Sequence, residues 1–282
     1  MNKELIVVSY GCSYAAAREL EIEPVEAAIA SAFRERDFRR AYTASFINRK
    51  LKRQDGLHFP NLRESLEAAL AAGAEDLLVQ PTHLIAGFQY QSIVRDCQKL
   101  APSFKSLKLG QPLLGSPLAE GVEINSETRE TVPVIAEIVA RRAGFTSARE
   151  AGQAGFAFVL MGHGTEHSAH ISYGQLESAF QEQGFDNIFV GTVADEEGEE
   201  LRELLKRIKE RGFKKLELNP LMLVAGDHAH NDMAGDDDDS WLSICRQSGY
   251  FDAVEARVMG LGRDAEIANI YIKRAHEAQP IK

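Results

Sequence analysis

QPTHLIAG at residues 80–87 and NPLMLVAG at residues 219–226 are two versions of one phrase: an amide, a proline, then the same apolar pattern closing on Ala-Gly. Each closes a run that reads as a buried strand, DLLVQPTHL (76–84) and KKLELNPLMLVAG (214–226). A looser pair lies upstream of each. VVSYG (7–11) and VLMGHG (159–164) both run from strand into glycine. Short apolar β-rich runs alternate with helical patterns along the whole chain. Further strands are read at LIVVSYG (5–11), SLKLGQPLL (106–114), NIFVGTVAD (187–195) and residues 253–259. Helices are read over 61–72, 127–142, 197–211 and 264–276. In the first of these, Asn61 is the cap and Leu62, Leu66, Ala69 and Leu70 form one face.

That alternation predicts βαβ units and parallel sheets. The restart at FAFVLMGHG (156–164) predicts two similar doubly wound α/β domains of four or five parallel strands each. GSPLAEG (115–121) supplies a loop between them, so the expected domains are 1–125 and 126–282, the second carrying most of the histidines.

At 282 residues the chain is long enough for two domains. With 44% hydrophobic and 26% charged residues it has the apolar content to fold. The longest apolar runs, such as LMLVA (221–225), are too short to cross a bilayer, so no membrane partner is expected. MNKELIVVSYG enters a strand directly, without the pattern of a signal peptide, and a cytoplasmic location is expected. A net charge of −10 argues against nucleic acid as a partner. Cys12, Cys97 and Cys245 are too scattered for a disulfide framework or a cysteine zinc site. Cys12 reads as a small residue of a glycine turn or as a reactive thiol. Oligomeric state is open, a homo-oligomer included.

Parallel α/β sheets bind ligands beyond the carboxyl ends of their strands. Five of the eight histidines fall between 163 and 230, and two of them follow predicted strands: His163 directly, His228 after Gly226 and Asp227. Two imidazoles at neighbouring strand ends suit a divalent metal, and the expectation is that one ion is within reach of both. Each would otherwise cap its own turn. HGTEH (163–167) matches a zinc-protease pattern that requires a helix, and the glycines around His163 argue against one. His167, His170 and His230 read as peripheral. A third ligand would be acidic, and Asp195, Glu196, Asp227 and Asp232 are the nearby choices. Asp236–Asp239 reads as a solvated lead into a helix at Ser240 and Trp241. Arg49, Lys50, Lys52 and Arg53 read either as a carboxylate-binding cluster or as a solvated helix face.

MGHG (161–164), PLMLVAGDHAHNDMAGDDDDSW (220–241), INRKLKRQDG (47–56), VVSYGCSY (7–14) and THLIAGFQY (82–90) together resemble the anaerobic sirohydrochlorin cobaltochelatases of the early-cobalt-insertion cobalamin pathway. The resemblance implies the class II chelatase fold, two similar α/β domains with a tetrapyrrole cleft between them. It implies no organic cofactor. A divalent metal is the co-substrate: Co2+, with Ni2+ and Fe2+ as alternatives on the same imidazole ligands. The other partner is a tetrapyrrole polycarboxylate. The family's two metal-binding histidines match His163 and His228. Its glutamate near 190 matches Ala194 here, with Asp195 next to it as a substitute ligand, and a further acidic position matches Gln89. These departures leave open a binding relative without turnover. Arg49, Lys50 and Arg53 would hold carboxylates, with Gln89 near them. Tyr10, Phe88 and Tyr90 would either stack on the ring or pack in the core.

Overall fold

The structure, a computed structural model, describes residues 2–116, 124–193 and 199–281. The chain divides into two compact units, Met1–Pro117 with Gly262–Lys282, and Leu118–Leu261. The expected division at 125/126 therefore differs from the observed one in a specific way. The last helix and the residues after it return to the first unit.

In unit 1, β1 (Lys3–Ser9), β2 (Asp37–Tyr42), β3 (Asp76–Pro81), β4 (Ser106–Leu109) and β9 (Gln279–Pro280) form a sheet of order β2-β1-β3-β4-β9. All pairings are parallel except β4–β9. The period-2 alternation of β1 and β3 buries Ile6, Val8, Leu77 and Val79 in one cluster with Leu62, Leu66 and Ala69 of the helix Leu62–Ala71. That helix begins in a capping box: the Asn61 side chain accepts from Glu64 N–H and the Glu64 carboxylate accepts from Asn61 N–H. Leu70, expected on the buried face, is exposed. The helices Glu23–Ala32 and Ala265–His276 pack on each other and against β1 and β3. Tyr271 donates to the Thr82 carbonyl at 2.8 Å. The C-terminal segment belongs to unit 1 because its apolar stripe and its strand both find partners there.

In unit 2, β5 (Phe156–Gly162), β6 (Ile188–Thr192), β7 (Lys215–Pro220) and β8 (Ala253–Ala256) form an all-parallel sheet of order β6-β5-β7-β8. Val159, Met161 and Leu218 pack with Leu201, Leu204, Leu205 and Ile208 of the helix Glu199–Glu210, and with Trp241. Ser240 caps the helix Trp241–Gln247 by accepting from Ser243 N–H, so Asp236–Asp239 lie in the lead-in, as their composition suggests.

The repeat is exact in register. Ile6 pairs with Val79 as Val159 pairs with Leu218. Thr82 N–H bonds the Val8 carbonyl as Leu221 N–H bonds that of Met161. Gly11 and Gly164, each two residues beyond its strand, both have positive φ, +97° and +75°, a conformation that favours glycine. On this register Tyr10 is the counterpart of His163, and Gln89 the counterpart of His228.

Candidate active site

His163 is the first residue after β5. The strand delivers it, and Tyr173 of the helix Ile171–Glu182 fixes the turn from beneath. The buried Tyr173 hydroxyl oxygen accepts from the backbone N–H groups of Gly164 and His163, and burial pushes the phenol up to about 12. Gly162 is required by this arrangement, since a Cβ there would stand 2.3 Å from Tyr173 Cε1. His163 Nδ1 lies 3.0 Å from the Gly164 carbonyl. A carbonyl only accepts, so this bond places the proton on Nδ1 and leaves Nε2 with its lone pair.

His228 arrives differently from the sequence expectation. β7 ends at Pro220, so the residue does not sit at a strand end; it leads the helical turn Ala229–Met233. The turn gives it a partner one helical repeat on. His228 Nδ1 bonds the Asp232 carboxylate, which again leaves Nε2 as the lone-pair nitrogen. The two rings are brought together, centroids 4.6 Å apart and planes at 88°. His163 is exposed and His228 half-buried, so both present themselves to solvent. Neutral imidazole with its second nitrogen held by a carbonyl or carboxylate is the usual form of a metal-ligating histidine. Among the described residues no three His, Cys, Asp or Glu side chains converge on one point. Asp195, expected as a third ligand, lies outside the described residues, as do Ala194 and Glu196.

Asp232 as orienter and Tyr173 as support were not singled out for these roles from sequence. The i,i+4 spacing of His228 and Asp232 was a visible signal for the first; nothing local marks Tyr173. His167 caps the short helical turn Ser168–His170 by accepting from Ala169 N–H, a structural role.

The remaining candidates lie in unit 1. Tyr10 is half-buried and meets Phe46 edge-on, centroids 6.1 Å apart. The helix Ser45–Asp55 buries Ile47 and Leu51 and leaves Arg49 and Arg53 exposed. Lys50 Nζ stands 5.8 Å from the Tyr14 ring centre. Phe88 and Gln89 are exposed at the start of the helix Phe88–Leu100. Tyr90 is not available for stacking on a ligand. It is buried in the core and donates to the Gly110 carbonyl at 3.3 Å, because the first helical turn points it inward. Cys12 is buried, and burial pushes its thiol up, so the small-residue reading holds over the reactive one.

A duplicated parallel α/β fold with an imidazole pair near the carboxyl ends of one sheet's strands is the arrangement expected of a class II chelatase. The fold is matched by SirB of Bacillus subtilis with Fe3+, at a TM-score of 0.61 and 15% identity over 98% of this chain and 95% of that one. It is matched too by the SirB chelatase of Bacillus subtilis subspecies spizizenii in complex with cobalt, at a TM-score of 0.58 and 13% identity. The model of the cobalt chelatase (CbiK) family matches residues 3–280, and the chain belongs to that family. It is 35% identical to the sirohydrochlorin cobaltochelatase of Salmonella typhimurium over 278 residues, 99% of this chain and 97% of the relative. It is 31% identical to the sirohydrochlorin cobaltochelatase CbiKC of Nitratidesulfovibrio vulgaris over 173 residues, 61% of this chain and 54% of that one.

Proposed function

We infer that this protein is a sirohydrochlorin cobaltochelatase, inserting Co2+ into the tetrapyrrole on the route to cobalamin. Family membership along nearly the whole chain supports the activity. The observation that carries the site is the pair His163 and His228, rings 4.6 Å apart, each with Nδ1 engaged and Nε2 left as the lone-pair nitrogen.

In this reading the two Nε2 atoms hold the incoming cobalt ion, which is a substrate. As the metal enters the macrocycle, two pyrrole N–H protons leave. Each imidazole, once it has released the metal, has a free Nε2 lone pair, and the two together take up those protons. Bending the macrocycle exposes the pyrrole nitrogen lone pairs to the metal, a use of binding energy on substrate distortion. Arg49, Lys50 and Arg53 supply cations for the substrate's carboxylates, with Tyr10, Phe88 and Gln89 on the same unit. Imidazole also accepts Ni2+ and Fe2+, and Asp195 is the added ligand that would raise affinity for any of the three. A cytoplasmic location is part of this reading, in keeping with three buried free thiols.

The test mixes purified protein, sirohydrochlorin and Co2+ and follows the absorbance change. The wild type should accelerate insertion. His163→Ala and His228→Ala should each lose most of the rate while keeping the far-UV spectrum and melting temperature, whereas His167→Ala and His230→Ala should cost little. A wild-type rate equal to the protein-free reaction would leave a tetrapyrrole-binding protein without turnover. Near-normal rates in both histidine variants would remove the site.

A further inference from the structure

We propose that Phe46 is a substrate-positioning residue: its exposed ring stacks on the face of the tetrapyrrole, and the cations on the same helical stripe take the carboxylates at the macrocycle's rim. The proposal rests on the tetrapyrrole reading above and adds to it where unit 1 engages that substrate.

The first observation is the internal register. Tyr10 and Gln89 stand in unit 1 where His163 and His228 stand in unit 2. A neutral phenol and an amide do not replace two imidazoles as metal ligands. At these positions unit 1 presents no imidazole, and what it presents instead is aromatic. Phe46 is 51% exposed, and its edge contact with Tyr10 sets it against the end of β1.

The second observation is independent and comes from the helix Ser45–Asp55. Counting from Phe46, Arg49, Lys50 and Arg53 fall at i+3, i+4 and i+7, so the ring and three cations share one stripe. Ile47 and Leu51 bury the opposite side. In a chain of net charge −10, a stripe of one apolar ring and three cations is a local exception. Its chemistry complements an apolar, π-rich plane bordered by carboxylates: the ring meets the plane and the guanidinium and ammonium groups meet the rim.

The experiment measures initial rates of cobalt insertion against sirohydrochlorin concentration at saturating Co2+, and against Co2+ at saturating sirohydrochlorin. Phe46→Ala should raise KM for sirohydrochlorin about tenfold, the scale of one lost aromatic contact with its buried area, and leave KM for Co2+ unchanged. Phe46→Trp should restore the sirohydrochlorin KM. Arg53→Gln, at an exposed position, should raise the same KM severalfold, with the difference from wild type shrinking at high salt. Equilibrium binding of metal-free sirohydrochlorin, followed by its absorbance, separates this proposal from the proposed activity. If the wild type fails to insert cobalt, the activity fails, and the Kd of Phe46→Ala still decides the platform. A wild-type sirohydrochlorin Kd in Phe46→Ala overturns it, whatever Arg53→Gln does.

Discussion

Each candidate metal-binding imidazole has one nitrogen committed, but to partners of different kinds. The partner of His163 is the backbone carbonyl of Gly164, fixed by the turn itself. The partner of His228 is the side chain of Asp232, which a mutation can remove. Asp232→Ala should free the His228 ring to rotate and to exchange tautomers, so KM for Co2+ should rise about 10–100-fold. Asp232→Asn should recover part of the loss, because the amide oxygen still accepts from Nδ1–H. Cobalt titration of initial rates checks both variants, and an unchanged KM for Co2+ in Asp232→Ala would show that the carboxylate does not orient the ring. His163 was legible in sequence from its glycine-flanked position after an apolar run. Asp232 stood out in sequence only through its i,i+4 spacing from His228, a signal that counts only once the segment is known to turn as a helix.

One element outside the strands sets the position of His163. The helix Ile171–Glu182 places the Tyr173 ring against Gly162 and its hydroxyl under the His163 and Gly164 amides. Gly162→Ala would drive a methyl group into that ring, and the buried ring has little room to give way. The expected outcome is a loss of about 1–3 kcal/mol in urea unfolding, together with a lower kcat because the end of β5 must shift. Tyr173→Phe keeps the ring and removes only the acceptor. Its melting temperature should fall by less than that of Gly162→Ala while kcat still falls, which distinguishes support of the turn from bulk packing. The MGHG motif announced a tight turn. What it turned against was not readable, because Tyr173 lies on the next helix and nothing in its neighbourhood distinguishes it from a core tyrosine.

At the scale of the molecule, unit 1 is closed by residues from both ends of the chain. Tyr271 and Arg274, on the last helix, donate to the carbonyls of Thr82 and Leu113, so the C-terminal segment covers the end of β3. Under this cover His83 has its Nε2 at 3.3 Å from Thr43 Oγ1, while Nδ1 is sealed without a hydrogen-bond partner. Burial pushes its pKa down to about 4. The unfolded chain binds a proton there below about 6.5 while the folded chain does not. Stability from this group is therefore present at neutral pH and is lost as pH falls from about 6.5 to about 4, with a limiting slope of about 1.4 kcal/mol per pH unit. Urea unfolding of the wild type and of His83→Gln at a series of pH values should give curves whose difference grows across that window; parallel curves would show that His83 is not held neutral. Sequence alone carried the alternation of strands and helices, the duplication, the capped helix at Asn61 and the candidacy of two histidines. All of these rest on local periodicity and on residue types whose chemistry does not depend on their neighbours. Long-range packing placed the chain's last helix in unit 1, stood His228 on a helical turn with Asp232, and turned Tyr90 into the core. Those outcomes are set by which apolar faces find each other across long sequence separations, and a pattern read along one dimension does not contain that pairing.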